Sequence, residues 1–212
     1  MQTSKLRRVL AVFLLAGLTS CGRTPENPYA AIKDPPVVQG RLHTITLAAD
    51  TAEPAEEMQV KGYEQVAFLS NYPVSVAVES SLWSVPEPVV EKADHWKAPA
   101  GIGVNVRLLR MPLAANGVAA NPGVEKSFYR NVLGTDVPAW PVAVERTAKV
   151  RVQVWTFLIP DVKAASKRLR ENGIPVVFDP VAITTAYLGD HKTMAIRAPD
   201  GTIIELVETA AQ

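Results

Sequence analysis

The sequence predicts an α+β fold built of two modules, of which the second follows the order βαβββ. Strand-like stretches that alternate with period two and are rich in Val, Ile and Thr dominate the chain after residue 40. Two other stretches have helical periodicity, and each ends at a glycine. The order of elements is clear in the last third of the chain, whereas the first module is expected to be irregular or rearranged.

The last third of the chain predicts one strand, one helix and then three strands. A strand over 150–159 is followed by a helix over 161–172 and a short strand over about 175–178. The turn sequence Pro-Asp-Gly at 199–201 suits successive positions of a hairpin turn between the last two strands. The predicted modules are therefore residues 41–149 and residues 150–212.

The helix of this second module is supported by its two ends and by its apolar face. Asp161 is suited to be the N-cap, and Gly173 supplies the C-terminal stop. Val162, Ala165 and Leu169 fall on one face, whereas the basic side chains lie mostly off it. We expect the apolar face to pack on the sheet.

The N-terminal residues have the order of a bacterial lipoprotein signal. Three basic residues precede an apolar run over 9–18, which is about half of the ~20 residues that a membrane-spanning helix needs. The run ends in Leu-Thr-Ser-Cys, which resembles the lipobox where signal peptidase cuts before the cysteine. We expect residues 1–20 to be the signal peptide and Cys21 to carry acyl chains such as palmitate. The alternative is an ordinary signal peptide with an unrelated cysteine.

Cys21 is the only cysteine in the chain, which limits the chemistry of the exported protein. Without a second cysteine the protein can form no internal disulfide. Because the only cysteine is expected to be acylated, there is also no cysteine nucleophile and no thiolate metal site. Removal of the first twenty residues takes away three positive charges and no negative ones, so the formal charge changes from +1 to −2. This balance argues against a nucleic-acid partner.

Residues 21–40 are rich in proline and show little periodicity, so we expect an extended tether of at most roughly 50 Å. The residue after the cysteine is Gly22 rather than Asp. In lipoproteins of enteric-type bacteria this resemblance implies delivery to the periplasmic face of the outer membrane. The lipid bilayer is then a partner through the acylated cysteine.

Two phrases of the second module, FLIPDVKAASKRLRENGIPVVFDPV and AIRAPDGTIIELVE, together resemble the vicinal oxygen chelate superfamily. This superfamily includes glyoxalase I, extradiol dioxygenases and bleomycin-resistance proteins, and its second module typically ends in a phrase like DPDG-x-x-IELVE. The resemblance implies that paired βαβββ modules form an open, curled mixed sheet shaped like a cup, with alternate residues of each strand inside it.

The first module fits the family in two alternative registers. In the first, RLHTITLAAD is the opening strand, and His43, seven residues before an Asp, falls on a metal-ligand position. In the second, SFYRNVLG ends the first module's helix over about 124–133, and the preceding strand places Asn105 or Val106 at the ligand position. His43 would then lie in an extra or permuted strand. The sequence leaves both registers open.

The resemblance gives Glu205 a metal-binding role. In metal-using members the matching glutamate points into the cup and binds a divalent ion, and Mn, Fe, Ni or Zn suits such N and O donors. His43 is the second predicted ligand. Val154 stands at a third ligand position, and Asn105 and Arg107 stand where the fourth is expected, so at most two of four ligands remain.

A structural role for Glu205 is the alternative, because a carboxylate between Ile204 and Leu206 must be compensated by a partner. Backbone amides or a basic side chain could be that partner of the carboxylate. The candidate bases are Arg107, Arg151 and Arg197. Two further histidines, His95 and His191, are flanked by charged or polar residues in loop-like stretches of the sequence, and they are predicted to lie at the surface.

The incomplete ligand set favours an anchored binding protein over an enzyme, although the sequence alone does not decide between them. Its cup would hold a small apolar or aromatic molecule without a metal cofactor. The predicted ligand contacts are Trp155, Tyr187 and Arg107. One alternative is a divalent-metal-dependent lyase or dioxygenase of the glyoxalase type that uses His43 and Glu205; another is a structural envelope lipoprotein. Many members of the superfamily pair through their sheets, so the resemblance allows a homodimer, but the sequence does not decide the oligomeric state.

Overall fold

The computed structural model describes residues 27–32, 35–49, 53–66, 92–101, 104–110, 122–135, 150–185 and 188–209. The first half contains β1 (Arg41–Ala49), α1 (Glu53–Val60), β2 (Glu64–Val66), β3 (Lys92–Lys97) and β4 (Asn105–Arg110). The second half contains α2 (Pro122–Leu133), β5 (Val150–Leu158), α3 (Val162–Glu171), β6 (Val176–Thr185), β7 (Gly189–Arg197) and β8 (Ile203–Thr209).

The strands within these ranges form one mixed sheet in the order β2-β3-β4-β1-β5-β8-β7-β6. In each half the first strand lies parallel to the last one, β1 to β4 and β5 to β8, and the two halves meet through the antiparallel pair β1–β5. This is the predicted pairing of two βαβββ modules in an open mixed sheet, so the fold is glyoxalase-like.

The order of elements resolves the two registers of the first module. The chain enters the sheet at β1 and continues through α1, so the first register is correct and the second is wrong. The helix that carries SFYRNVLG is α2, which connects the two modules. We missed α1 because Met58 is its only buried residue among those described, which leaves no apolar periodicity to detect.

The helix α3 has the predicted ends and face. The carboxylate of Asp161 accepts a hydrogen bond from the backbone N of Ala164 at 2.9 Å, and that of Glu208 accepts one from the N of Val162 at 2.9 Å. Both bonds satisfy backbone donors that lack a partner inside the helix. Gly173 follows the helix with a φ of 69°. The predicted apolar face is buried: Val162, Ala165 and Leu169.

The main hydrophobic core lies between the helices and one face of the sheet. Trp155 belongs to this core with 3% exposure, and its ring lies 4.8 Å from that of Tyr129 in α2. The neighbouring strands contribute residues that alternate along the chain and point the same way. These include Ile45, Leu47, Phe157, Ile204 and Leu206.

Part of the predicted tether packs against the folded domain. Val37 and Val38 are 4% and 1% exposed, and their backbone N atoms donate to the carbonyls of Asn131 and Val132 at 3.4 and 2.8 Å. Arg168 of α3 donates from Nε to the carbonyl of Val37 at 3.0 Å. The tether prediction is therefore wrong for this stretch, because its adjacent valines complete the core between two helices.

The segment before it is also held in place. The side-chain amide of Asn27 donates to the carbonyl of Gly123 at 3.2 Å and to the hydroxyl of Ser127 at 2.9 Å. The ring of Tyr29 meets that of Phe128 edge-on, with centroids 5.1 Å apart. The chain thus joins the domain at the first turns of α2.

None of the described helices is long and apolar enough to cross a membrane.

Candidate functional site

The face of the sheet opposite the core carries most of the polar side chains predicted to form a site. The strand register places two rows of residues side by side across the centre of this face, which we call the Glu205 face. One row is Asn105, Thr44, Thr156, Glu205 and Ala195. The adjacent row is His95, Arg107, Thr46, Val154 and Ile203.

Glu205 is fully buried, and hydroxyl groups hold its carboxylate. Oε2 accepts a hydrogen bond from Thr156 Oγ1 at 2.9 Å, and Oε1 accepts one from Thr193 Oγ1 at 3.1 Å. The two threonines come from β5 and β7, the strands on either side of β8. The sheet therefore supplies a donor to each carboxylate oxygen.

Arg107 is the counterpart of Glu205 in the first module. Across the antiparallel pair β1–β5, Thr46 lies opposite Val154 and Thr44 lies opposite Thr156. An approximate two-fold axis that passes between these two pairs relates the two modules. This axis exchanges Thr46 with Thr156. Arg107 is the β4 neighbour of Thr46, and Glu205 is the β8 neighbour of Thr156. The two modules thus place a base and an acid at equivalent positions.

The contacts of these two residues are also equivalent. Arg107 is fully buried and donates from Nε to Thr46 Oγ1 at 3.0 Å, as Glu205 is bound by the hydroxyl of Thr156. Of the other two predicted bases, Arg197 is exposed and donates to the carbonyl of Gly201 at 3.2 Å. The side chain of Arg151 lies outside the described residues.

This donor set does not fit the metal centre that the family implies. A guanidinium has donors only and cannot ligate a cation, yet it occupies the first-module position equivalent to the glutamate. Both oxygens of Glu205 already accept hydroxyl hydrogen bonds. Within the described part of the chain, no three His, Cys, Asp or Glu side chains are grouped so that they could hold a metal ion.

His43 reaches the Glu205 face through a bulge in β1. Leu42 pairs with Phe157 and Thr44 with Thr156, so His43 is an additional residue between two consecutive positions of β5. Its Nδ1 lies 2.8 Å from Thr44 Oγ1, and its Nε2 lies 3.4 Å from Asn105 Nδ2. The bulge explains why the adjacent residues His43 and Thr44 both meet the polar row, whereas Leu42 packs partly buried against the main core.

Asn105 determines which nitrogen of His43 carries the proton. The N–H of Ala98 donates to Asn105 Oδ1 at 3.1 Å, which leaves the amide Nδ2 to face His43 Nε2. Because an amide nitrogen only donates, Nε2 is the acceptor, and Nδ1 then carries the hydrogen that is donated to Thr44 Oγ1.

Two histidines on this face are held neutral. Burial, and secondarily the charge of Arg41, lower the pKa of His43 below its ordinary value. Burial, then the charge of Arg107, then that of His43 lower the pKa of His95 to about 4. His95 lies in β3 opposite Arg107 and is half-buried, so its prediction as a surface loop residue is wrong. At neutral pH both rings are uncharged hydrogen-bonding groups.

An apolar cluster lies beside Glu205 on the same face. Val154, Ala195 and Ile203 are buried together, and the partly buried Val177 and Phe178 of β6 pack against them. We did not predict Phe178 as a site residue because we ended its strand at residue 178. The strand runs to Thr185, with register shifts around Phe178.

The three predicted ligand contacts have different outcomes. Arg107 lies on the Glu205 face. Trp155 lies on the opposite face, in the main core, so it does not line the predicted site. Tyr187 lies outside the described residues. Within the described part of the chain, the aromatic ring that packs against the apolar neighbours of Glu205 is that of Phe178.

His191 is buried rather than exposed, which corrects its prediction as a surface residue. It is 5% exposed, and its Nδ1 donates to the carbonyl of Gly189 at 2.8 Å, whereas its Nε2 has no hydrogen-bond partner in the described part of the structure. Thr185 is 2% exposed, and its hydroxyl also has no hydrogen-bond partner in the described part of the structure.

An open groove of about 360 Å³ lies at the far end of the second module, away from Glu205. It is lined by the ends of β6, β7 and β8. Its residues are Ala182, Ile183, Thr184, Asp190, His191, Lys192 and Glu208. Lys192 Nζ and Glu208 Oε1 are 2.7 Å apart there, so these two charges are paired with each other.

No protein-family model matches the sequence, and neither does any curated protein. Solved structures do match. Methylmalonyl-CoA epimerase from Mycobacterium tuberculosis is 18% identical over 85% of this chain and 95% of that chain, with a TM-score of 0.47. A hypothetical protein from Bacillus halodurans C-125 is 13% identical over 82% of this chain and 97% of that chain, with a TM-score of 0.44.

A glyoxalase/bleomycin resistance protein/dioxygenase from Alicyclobacillus acidocaldarius is 11% identical over 81% of this chain and 92% of that chain, with a TM-score of 0.25. Similarities this low do not indicate an activity. The description of the fold as glyoxalase-like rests on the strand order and on the pairing of the modules.

Proposed function

We propose that this glyoxalase-like protein is a lipid-anchored binding protein of the cell envelope. It holds a small apolar or aromatic molecule on the Glu205 face of its sheet and does so without a metal ion. The acyl chains on Cys21 attach it to the periplasmic face of the outer membrane. The order of basic residues, apolar run and cysteine at the N-terminus supports the anchor.

The observation that carries the metal-free proposal is Arg107. It stands at the position equivalent to Glu205, is fully buried, and brings a permanent positive charge to the face where a metal ion would sit. A second cation there would be repelled, whereas the charge of Glu205 is balanced on the same face. The acid thus helps to build the sheet rather than to ligate a metal.

The apolar cluster supports the proposed ligand class. Phe178 and Val177 are partly exposed beside the buried Val154, Ala195 and Ile203, so an apolar or aromatic group can lie against them. At the other module, His43 and Asn105 are half-buried and lie within hydrogen-bond distance of each other, and the neutral ring of His43 adds no charge to this end of the face.

A thermal-shift screen with small aromatic compounds tests the ligand proposal. We expect some compounds to raise the melting temperature of the wild-type protein, since a ligand that binds only the folded state stabilises it. Phe178→Ala should abolish the shift, because it removes the partly exposed ring. Lys167→Ala, on the exposed side of α3, should retain the shift. The proposal fails if no compound moves the melting temperature, or if Phe178→Ala responds like the wild type.

The alternative function, a divalent-metal-dependent lyase or dioxygenase, rests on the neutral imidazole of His43 together with Glu205. A neutral, half-buried imidazole is a suitable metal ligand. This alternative requires that both side chains bind one ion, so it predicts metal binding that is lost in His43→Ala and also in Glu205→Gln.

A further inference from the structure

We infer that the domain is held close against the lipid bilayer, with the first turns of α2 facing the membrane. This inference rests on the acylation of Cys21 in the proposed function. It adds an orientation, and therefore a membrane-facing surface, that neither the signal sequence nor the fold gives alone.

The first step is the place where the chain joins the domain. Asn27 is fixed by its hydrogen bonds to Gly123 and Ser127, and Tyr29 by its ring contact with Phe128 and by the donation of Asn131 Nδ2 to its carbonyl at 2.8 Å. All of these partners belong to α2. An anchor on the preceding chain is therefore connected to the domain at the N-terminal turns of this helix.

The second step is the length of chain before this point. Five residues separate Cys21 from Asn27. Even fully extended, these residues span only about 20 Å. A domain of this size is roughly 40 Å across, so such a tether cannot bring its far side to the membrane. Acyl chains hold Cys21 at the level of the lipid headgroups, and the surface around Asn27 must lie near them.

The third step is the charge of this surface. Lys126 and Arg130 are exposed on α2 and lie one helical turn apart, with the half-buried Glu125 beside them. Basic side chains close to a bilayer are attracted to anionic headgroups. The exposed side of α2 thus fits a lipid surface in charge as well as in position.

A reference point away from the first turns of α2 is Asp190. The hydroxyl of Tyr129 in α2 donates to Asp200 Oδ2 at 3.1 Å, so the turn after β7 lies against this helix. Asp190 is exposed at the other end of the same strand. At about 3.3 Å per residue, it lies roughly 25 Å farther along the sheet.

The experiment uses purified, acylated protein in liposomes that contain an anionic lipid and a lipid-borne fluorescence quencher. A fluorophore is attached through Lys126→Cys in one sample and through Asp190→Cys in another, since acylation leaves no other free thiol. We expect stronger quenching at the Lys126 site. Insertion of about twenty Gly and Ser residues before Asn27 adds a flexible chain of roughly 25 Å, and it should remove the difference while the protein stays membrane-bound.

Two outcomes separate failure of the orientation from failure of the anchor. Equal quenching at both sites in membrane-bound protein overturns the orientation but leaves the anchor intact. If the wild-type protein fractionates with soluble proteins, as Cys21→Ser should, the anchor itself is wrong and the orientation falls with it. Stronger quenching at the Lys126 site that is lost in the long-linker variant supports both.

Discussion

At the scale of single residues, the threonines beside Glu205 show how the sheet tolerates an internal carboxylate. An ionised group removed from water is costly unless hydrogen bonds and opposite charge replace the lost solvation. Thr156 and Thr193 provide the hydrogen bonds, and Arg107 places a positive charge on the same face. Thr193 lies in the strand adjacent along the chain, whereas Thr156 is 49 positions from Glu205 and Arg107 belongs to the other module.

Removal of one of these hydroxyl groups should destabilise the protein measurably. Thr193→Val leaves Glu205 Oε1 without the donor at 3.1 Å, and we expect the free energy of unfolding to fall by about 1–3 kcal/mol. Urea denaturation followed by circular dichroism measures this change.

Thr185→Val is the matched control for this prediction. Thr185 is as deeply buried as Thr193, but its hydroxyl has no hydrogen-bond partner in the described part of the structure. Its replacement should leave the stability unchanged or raise it, because a buried unsatisfied hydroxyl is removed. Equal destabilisation by the two substitutions would refute the role given to the Thr193 hydroxyl.

The lowered pKa values of the half-buried His95 and His43 predict that the folded protein loses stability in acid. The folded-state pKa of His95 is about 4, below the ordinary value of 6.5, so the unfolded chain binds the proton more tightly. His95 therefore destabilises the folded protein progressively as the pH falls from about 6.5 towards 4, and His43 acts in the same direction. Across this range, unfolding free energies of the wild type should decline more steeply than those of His95→Gln. Parallel pH dependences would contradict this account.

At the scale of elements, local signals explain which parts could be predicted. The cap residue, the apolar face and the terminal glycine of α3 are all adjacent in sequence, so the helix was predicted within a residue. The strand β3 was missed because a Pro-rich stretch precedes it and half of its residues, Lys-Ala-Asp-His-Trp-Lys, are charged. It forms because both of its neighbours, β2 and β4, offer backbone partners.

The N-cap of α3 provides a test at this scale. Asp161→Ala removes the acceptor for the N–H of Ala164, and we expect a loss of about 1 kcal/mol in the free energy of unfolding. As a control, Asp179→Ala breaks an exposed ion pair with Arg170, which should change the stability by less than about 0.5 kcal/mol. Chemical denaturation of both variants measures the difference, and a loss for Asp161→Ala no greater than that for Asp179→Ala would show that the cap is unimportant.

At the scale of the whole molecule, the pseudo-symmetry of the two modules gives the site its character. The sequence identifies Glu205 because the phrase around it is contiguous, and it identifies Arg107 only as one of several bases. The equivalence of the two residues depends on the pairing of β1 with β5, which joins residues more than one hundred positions apart. No local pattern contains that information.

The packing of residues 27–32 and 35–40 was unpredictable for the same reason. Prolines and a lack of periodicity are typical of a linker, and the two valines become informative only when α2 and α3 lie beside them. The consequence is a shorter tether and a defined point of attachment to the domain. Long-range packing thus determines how the domain would be presented at a membrane.

The metal content of the purified protein tests the central claim most directly. We predict that protein incubated with Mn, Fe, Ni or Zn and then dialysed retains no stoichiometric metal by elemental analysis, and that its melting temperature is unchanged. Arg107 supplies the reason, because its guanidinium lies at the position equivalent to Glu205. One metal ion per chain, lost in Glu205→Gln, would contradict the account.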